Sequence, residues 1–330
     1  MLKRRFAAAA CAVAVAVAGT QVVPAAPAAA LADPATGAAA EARIVRGDIA
    51  VITVAVATLW KAPRLHRRID RPSLTNPVDL VAWNRNLRTA SQRRWLVSRV
   101  QTQALYGQEV LVREVRGRWA RVAVLDEPDP QDPRGYPGWL PIRQLATGFD
   151  ADGAYTVVTR RRATLRLGSG RLRVSFGTRL PVTGEDASWI DVRTPDGPGR
   201  IRARAAGPPP AATRSAILRT GRQFLGLRYL WGGLSAWGFD CSGLIWDLFR
   251  AHGMTIPRDA DPQFRSGRRV SLRRLKPADL LFWGTRKYVH HVALYVGKGK
   301  ILEAPNSAGA VQIVKVRRAG LVGARRYLTR

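Results

Sequence analysis

A cysteine at the start of a predicted helix is the residue of this chain best suited to chemistry. Residues 238–243 read GFDCSG and run into an apolar stretch at helical spacing, so Cys241 lies in the first turn of a helix predicted to end near Ala251. Free backbone N–H groups and the positive end of the helix dipole favour a nucleophilic thiolate at such a position. The alternative is a buried structural cysteine, because free cysteines are among the most buried residues.

The base for this thiol has to come from one of four histidines. His290 and His291 open a predicted strand, so their side chains point to opposite faces of the sheet and only one can face the Cys241 helix. We favour His291 because it begins the apolar part of that strand. His66 lies in an arginine-rich segment and is predicted to be solvated, and His252 is predicted to lie on the surface near a helix C-terminus.

An acid on the next predicted strand could hold the imidazole in place. This acid is Glu303, and its relation to His291 depends on the loop of the hairpin. An odd number of loop residues puts the two side chains on the same face of the sheet, whereas a two-residue turn at Lys298 and Gly299 puts them on opposite faces. The other interpretation of Glu303 is a surface acid on an edge strand.

The charge of the chain points to anionic partners. It carries 54 lysine and arginine residues against 23 acidic ones, a formal net charge of +31, and most of the positive side chains are arginine. A surface of that kind favours nucleic acid, acidic lipid or anionic cell-wall polymers. The N-terminal sequence chooses among these partners, because it predicts export.

The first 32 residues have the three parts of a secretory signal peptide. Lys3, Arg4 and Arg5 precede an apolar run at 6–18, and Ala-Leu-Ala at 30–32 is a small-x-small cleavage site. The run is shorter than a typical membrane span, so we expect no stable membrane insertion after cleavage; an uncleaved anchor is the alternative. The expected location is secreted or cell-wall, the expected partners include anionic wall polymers, and nucleic acid is not expected.

Export would also leave the thiol without a disulfide partner. The only other cysteine of the chain, Cys11, lies inside the signal segment, so Cys241 would be the single cysteine of the mature protein. A single unpaired thiol in an exported protein indicates a reactive cysteine.

Composition divides the rest of the chain into segments. Residues 33–45 are rich in Ala, Pro and Gly and are predicted to form a flexible lead-in. Short alternating strands separated by turns then predict two small all-β barrels, at 46–150 and 151–206. A Pro-rich linker at 207–212 leads into residues 213–330, where predicted helices precede predicted strands, so the fold class of this segment is α+β.

Six short motifs follow one another in the C-terminal segment. They are YLWGG at 229–233, GFDCSG at 238–243, IPRD at 256–259, LKPADL at 275–280, HVALYVG at 291–297 and EAP at 303–305. In this order they resemble the NlpC-type cell-wall peptidases, a papain-like class of cysteine peptidases. The resemblance implies Cys241 as nucleophile, His291 as general base and acid, and Glu303 in the third position, where other members have His or an amide residue. It also implies that Tyr229 helps to position the substrate carbonyl.

The N-terminal half is similar to the paired bacterial SH3-like domains of one branch, the γ-D-glutamyl-L-diamino-acid dipeptidyl-peptidases. The matching words are TQALYG at 102–107 and GYPGW at 135–139. In that branch the first SH3-like domain walls off one side of the cleft, which implies that Asp240, Ser242 and Tyr136 receive the free amino end of an L-Ala-γ-D-Glu stem peptide. The whole substrate-binding set that we expect is Tyr229, Asp240, Ser242, Tyr136, Trp231 and Arg258.

The expected function is hydrolysis of the γ-D-glutamyl–L-diamino-acid bond of peptidoglycan stem peptides, with diaminopimelate or lysine as the diamino acid and a free N-terminal L-Ala. The alternatives are a D,L-endopeptidase on intact peptidoglycan, a catalytically inactive wall-binding SH3-like protein, and an acyltransferase or amidase on the same fold. No cofactor and no metal are expected, since one cysteine and scattered histidines do not make a ligand set.

Overall fold

The structure, a computed structural model, describes residues 43–130 and 132–328. The predicted signal peptide at 1–32 and almost all of the predicted lead-in at 33–45 lie outside the described residues. Within the described part of the chain, no helix has the length and apolar character that crossing a membrane requires.

Seven antiparallel strands form the first sheet, all of them within the segment 46–150. Their bounds are β1 Ile49–Ile52, β2 Val56–Trp60, β3 Val100–Leu105, β4 Glu109–Arg116, β5 Trp119–Val124, β6 Tyr136–Pro141 and β7 Leu145–Ala146. They pair in the order β3-β2-β6-β5-β4-β1-β7. The alternation of apolar and polar residues predicts the hairpin of β4 and β5; the first half of β4 alternates in burial, whereas β5 is buried at every position except Arg121.

Helical segments fill the connection between β2 and β3. They are a 3-10 helix at Arg68–Ser73, α1 at Leu80–Asn86 and α2 at Ala90–Arg94. Side-chain oxygens close the N-termini of both α-helices: Asp79 accepts a hydrogen bond from the Ala82 amide at 2.8 Å, and Thr89 accepts one from the Gln92 amide at 3.1 Å. Further 3-10 turns lie at Ile142–Gln144, Ala203–Ala205 and Leu272–Arg274.

A second seven-stranded antiparallel sheet repeats the plan of the first. Its strands are β8 Tyr155–Val158, β9 Arg162–Leu167, β10 Gly170–Ser175, β11 Arg179–Glu185, β12 Trp189–Thr194, β13 Gly197–Arg202 and β14 Ala206–Gly207. The order is β10-β9-β13-β12-β11-β8-β14, so in both sheets the last strand pairs with the first strand of its own sheet. Among the described residues both strand orders are linear, and neither sheet closes into a ring.

The third part of the chain begins with helices and continues as a six-stranded antiparallel sheet. Its helices are α3 Arg214–Arg222, α4 Cys241–Ala251 and α5 Ala260–Ser266, and a short hairpin of β15 Leu234–Ser235 and β16 Gly238–Phe239 precedes α4. The sheet consists of β17 Arg268–Val270, β18 Leu280–Gly284, β19 Val289–Gly297, β20 Lys300–Glu303, β21 Gln312–Lys315 and β22 Leu321–Arg326, in the order β17-β22-β18-β19-β20-β21. Both α4 and α5 pack against β19. The predicted α+β class is confirmed.

One cluster of buried apolar side chains spans the three parts, each sheet also has a cluster of its own, and all described residues belong to one compact unit. The core joins Trp60 of the first sheet, Phe176 beside the second sheet, and Leu244 and Phe249 of α4 in a single cluster of buried side chains. Burial of these apolar side chains against one another fixes the three parts relative to each other, which a flexible linker alone would not do. The walls around the N-terminus of α4 are therefore fixed in place.

Candidate active site

Cys241 is the first residue of α4, and the sequence around it makes this helix start tight. Asp240 is the N-cap residue, and its carboxylate accepts a hydrogen bond from the Gly243 amide at 2.6 Å. A Cβ atom on Gly243 would overlap the carbonyl oxygen of Gly233 in the preceding turn, so only glycine fits there. Cys241 is 7% exposed, and its side chain is among the causes that raise the pKa of the His291 imidazole.

His291 and Glu303 lie on the same face although their hairpin has a two-residue turn at 298–299. That turn alone would put them on opposite faces. A β-bulge between Tyr295 and Gly297 inserts one residue into β19 and restores the shared face. The distance from His291 Nε2 to Glu303 Oε2 is 2.7 Å.

The surroundings favour the charged form of both members of this pair. Burial favours the neutral imidazole, but hydrogen bonds with Cys241 and Glu303 outweigh it and raise the pKa of His291 to about 9. Burial likewise favours the protonated form of Glu303, but hydrogen bonds with His291 and Arg317 lower its pKa to about 2. Because Nε2 is engaged by Glu303, Nδ1 is the ring nitrogen that remains for the thiol.

Glu303 is not a surface acid on an edge strand, so that interpretation is wrong. It is 1% exposed, and β20 lies between β19 and β21. Besides its bond with His291, two side chains donate to its carboxylate: Arg317 at 2.7 Å and 2.9 Å, and Gln312 at 3.2 Å. Sequence reasoning missed Arg317, because nothing local distinguishes it among so many arginines.

On the other side of Cys241, Arg258 gathers the residues that cap α4. Its guanidinium is fully buried and donates to both carboxylate oxygens of Asp240, at 3.1 Å and 2.9 Å, and to Ser242 Oγ at 3.0 Å. Its Nε donates to Thr102 Oγ1 at 3.1 Å, a residue of β3 in the first sheet. Arg258 therefore holds Asp240 and Ser242, the two neighbours of Cys241, in place from beneath the helix start.

Thr102 connects Arg258 to a buried acid, Glu127, that sequence reasoning missed. Its hydroxyl donates to Glu127 Oε2 at 2.7 Å, and Glu127 is 0% exposed. Burial raises the pKa of Glu127 well above its usual value, although the charge of Arg258 opposes the shift. The available signal was the TQALYG motif at 102–107, which contains Thr102.

The remaining predicted substrate-binding residues lie around these two groups. Tyr229 is buried, and burial followed by the charges of Cys241 and Asp240 raises its pKa well above the usual value. Trp231 donates its Nε1–H to the carbonyl of Val100 at 2.9 Å and so ties the turn before α4 to the first sheet. The Tyr136 hydroxyl donates to Asp259 Oδ2 at 2.8 Å, and Asp259 directly follows Arg258. This contact also joins the first sheet to the residues around the start of α4.

The other histidines lie elsewhere. His290 is exposed, next to the buried His291. The predicted surface position of His252 is wrong: it is 4% exposed, and its ring bonds Thr220 Oγ1 and the linker carbonyls of Pro210 and Ala211, each at 3.1 Å. His66 is half-buried against Trp60 and Trp119 rather than solvated, because the arginine-rich segment folds back on the first sheet.

The residues that the structure describes contain no group of three or more His, Cys, Asp or Glu side chains that could hold a metal ion. The chemistry that this arrangement supports is nucleophilic catalysis, with a thiol, an imidazole and a carboxylate in hydrogen-bonded order.

Two stretches of the chain match known protein families. Residues 226–324 match the NlpC/P60 family, which covers α4 and the six-stranded sheet. Residues 158–207 match the family described as the YKFC SH3b2 domain, which covers most of the second sheet.

Curated relatives match over most of their length. A γ-D-glutamyl-L-lysine dipeptidyl-peptidase of Bacillus cereus is 39% identical over 305 residues, covering 84% of this chain and 91% of the relative. An enzyme of the same name from Bacillus subtilis is 37% identical over 79% of this chain and 91% of its own. The crystal structure of an NlpC/P60 family protein from Bacillus cereus superposes with a TM-score of 0.82 at 37% identity, over 85% of this chain and 100% of that one.

Proposed function

This chain belongs to the NlpC/P60 family, and on that premise we propose that it is a cysteine peptidase that cleaves the bond between γ-D-glutamate and the L-diamino acid of peptidoglycan stem peptides. The observation that carries the proposal is the arrangement of Cys241 at the start of α4 with His291 of β19 and Glu303 of β20, in a chain whose long matches are named γ-D-glutamyl-L-lysine dipeptidyl-peptidases. Lysine and diaminopimelate both fit the chemistry of the bond.

The first half of the reaction forms a thioester. His291 Nδ1 holds the proton that comes from Cys241, and the thiolate attacks the γ-carbonyl carbon of D-glutamate. The backbone N–H of Cys241, at the positive end of α4, donates to the oxyanion that develops, and Tyr229 helps to position the carbonyl. When the tetrahedral intermediate collapses, the C–N bond breaks and His291 gives its proton to the leaving amine.

The second half restores the enzyme. His291, now neutral, takes a proton from a water molecule, whose oxygen attacks the thioester carbonyl. The C–S bond breaks, the dipeptide leaves with a free carboxyl group, and the Cys241 sulfur recovers its proton from His291. Every proton step uses Nδ1, while Nε2 keeps its hydrogen bond with Glu303.

A free N-terminal L-Ala is the amino end that we propose this site accepts. Asp240 and Ser242 flank Cys241 in sequence, Tyr136 approaches from the first sheet, and the acid Asp259 lies against Tyr136. Hydrogen-bond acceptors and negative charge at that wall suit an ammonium group. Because the first sheet stands against the start of α4, a substrate that continues beyond its amino end should be excluded.

The test is hydrolysis of L-Ala-γ-D-Glu-L-Lys and its diaminopimelate counterpart by the purified full chain, followed by product mass. Cleavage should occur at the γ-glutamyl bond, vanish in Cys241→Ala, and fall sharply when the substrate amine is acetylated. His290→Ala is the matched control, since that exposed neighbour of His291 should not matter. Undiminished cleavage by Cys241→Ala would contradict the proposal.

Whole sacculi distinguish the alternatives. A dipeptidyl-peptidase should spare intact wall and cut free stem peptides, whereas a D,L-endopeptidase should release fragments from the wall. An inactive wall-binding protein would be retained by sacculi and would cleave neither substrate. A transferase or amidase would give products of different mass.

We also propose export by the signal peptide at 1–32 and binding of anionic wall polymers through the second sheet. Trp189 there is flanked by arginine guanidinium groups at 4.5 Å (Arg166) and 3.9 Å (Arg202). In the described part of the chain, neither of these arginines has an acidic ion-pair partner. Retention on isolated walls should fall with added salt and with Arg166→Gln/Arg202→Gln, and should survive in Arg121→Gln, which changes an exposed arginine of the first sheet.

A further inference from the structure

Glu303 presents an electrostatic problem that His291 alone does not solve. The carboxylate is 1% exposed, and a buried carboxylate is costly unless a positive group pairs with it. In the reaction proposed above, His291 is cationic while the thiolate exists and neutral after it has given its proton to the leaving amine. The charge that balances Glu303 would therefore disappear once in every turnover.

Arg317 supplies a positive charge that does not change. Its two terminal nitrogens donate to the two oxygens of Glu303, at 2.7 Å and 2.9 Å, in the bidentate geometry that suits a planar carboxylate. Gln312 adds a third donor to Oε1 at 3.2 Å. These donors fix the plane of the carboxylate, with Oε2 directed at Nε2 of His291.

Arg317 also touches the other neighbour of the imidazole. The Arg317 guanidinium lies 4.9 Å from the ring centre of Trp283. The backbone carbonyl of Arg317 accepts a hydrogen bond from Trp283 Nε1–H at 3.1 Å. The ring of Trp283 in turn lies 5.5 Å from that of His291. The imidazole is thus bounded on one edge by Glu303 and on one side by Trp283, and both are held by the same arginine.

We propose that Arg317 is a positioning residue of this active site, which keeps Glu303 ionised and oriented through the part of the cycle in which His291 is neutral. The proposal rests on the proposed function, because it takes His291 as the base. Arg317 acts on the reaction only through Glu303 and Trp283, and it touches neither the thiol nor the imidazole.

A double-mutant cycle separates this role from general support of the fold. Arg317→Met should lower kcat on the stem peptide about 10- to 100-fold with KM unchanged, as small misplacements of reacting groups do. Arg317→Lys, which keeps the charge but not the fork, should recover part of the loss. In a Glu303→Gln background, Arg317→Met should cause no further loss, because the carboxylate that it serves is gone.

The neighbouring Arg318 gives the matched control. It is exposed, has no ion-pair partner in the described ranges, and loses the same charge in Arg318→Met, which should behave as wild type. Equal losses from Arg317→Met with and without Glu303→Gln would overturn the proposal in favour of a structural role. So would an unchanged kcat in Arg317→Met. Thermal unfolding identifies a variant that fails to fold, and Arg317→Lys then carries the test.

A second readout needs no substrate. Alkylation of Cys241 by iodoacetamide at pH 6, located by mass spectrometry, depends on the same imidazole. It should slow in Arg317→Met and not slow further when that change is added to Glu303→Gln. If the wild type cleaves no stem peptide, the proposed function fails while alkylation still decides the role of Arg317; if the wild type cleaves and the cycle shows no coupling, only the role of Arg317 fails.

Discussion

Two arginine–carboxylate pairs flank the candidate active site, and they are built in opposite ways. Arg258 and Asp240 are fully or almost fully buried, and their network crosses from α4 to the first sheet. Arg317 lies in the loop after β21 and pairs with Glu303 of β20, and the Arg317 side chain is 46% exposed. Two arginine–carboxylate pairs therefore stand in different dielectric surroundings.

Because their surroundings differ, we expect one pair to act mainly on stability and the other mainly on catalysis. A fully buried pair costs much desolvation and is weak evidence of net stabilisation, yet loss of one partner leaves an uncompensated buried charge. The second pair reaches solvent through Arg317, so this side chain contributes less to stability than a fully buried one, and its main effect is on the charge and orientation of Glu303. We therefore expect changes at Arg258 to affect folding and changes at Arg317 to affect turnover.

The largest expected effect tests the buried pair. Arg258→Met leaves Asp240 without its counter-ion and also removes the donor to Thr102, so it should lower the free energy of unfolding by about 3–5 kcal/mol. Urea denaturation measures this, with Arg318→Met as the charge-matched surface control. A loss no larger than that of the control would remove the distinction between the two pairs.

The next effect tests the contact between the parts of the chain. Thr102→Val keeps the shape of the side chain but removes the hydroxyl that accepts from Arg258 and donates to Glu127. We expect a loss of about 1–3 kcal/mol, because two buried polar groups lose their partner at once. Thr53→Val is a comparison at a less buried threonine of the first part of the chain. Equal effects of both substitutions on urea denaturation would show that the network adds nothing.

The pH dependence of activity tests the charges of His291 and Glu303. With the pKa of His291 raised to about 9, the imidazolium should persist through neutral pH, and kcat/KM should fall about tenfold per pH unit above that value. The same shift also stabilises the folded protein. Its contribution to the free energy of unfolding is complete below about pH 6.5 and is lost as the pH rises through about 9. For Glu303, lowered to about 2, it is complete above about 4.5 and is lost as the pH falls through about 2. An alkaline limb near 6.5 would mean that Cys241 and Glu303 do not hold the imidazolium.

Sequence patterns predicted the elements and the central residues better than the network around them. The helix at Cys241, the strand that opens at His290, and the acid Glu303 follow from local periodicity and residue type, and the structure brings Cys241, His291 and Glu303 together. Whether His291 and Glu303 share a face of the sheet could not be predicted from the sequence. The two-residue turn alone would put them on opposite faces, and a β-bulge in β19 puts them on the same face.

Partners from distant segments left no local signal. Thr102 reaches Arg258 across 156 residues of sequence, and Glu127 joins the network through Thr102. Burial of a polar side chain is a property of the assembled core, and spacing along one segment does not encode it. For the same reason His252, next to a helix end, was predicted at the surface and lies buried under the linker.

The smallest expected effect concerns the acid at the far end of the buried network. Because burial holds the pKa of Glu127 well above its usual value, the folded protein binds a proton there that the unfolded chain releases above about pH 4.5. Stability should therefore fall as the pH rises from 5 to 8, and Glu127→Gln should remove this part of the decline. At pH 5 the same substitution should change the free energy of unfolding by less than about 1 kcal/mol, since the amide oxygen can still accept from Thr102. Urea denaturation of both proteins at pH 5 and pH 8 measures the difference. A parallel decline in wild type and variant would mean that Glu127 is ionised in the folded state, and its negative charge would then add to those of Asp240 and Asp259 around Arg258.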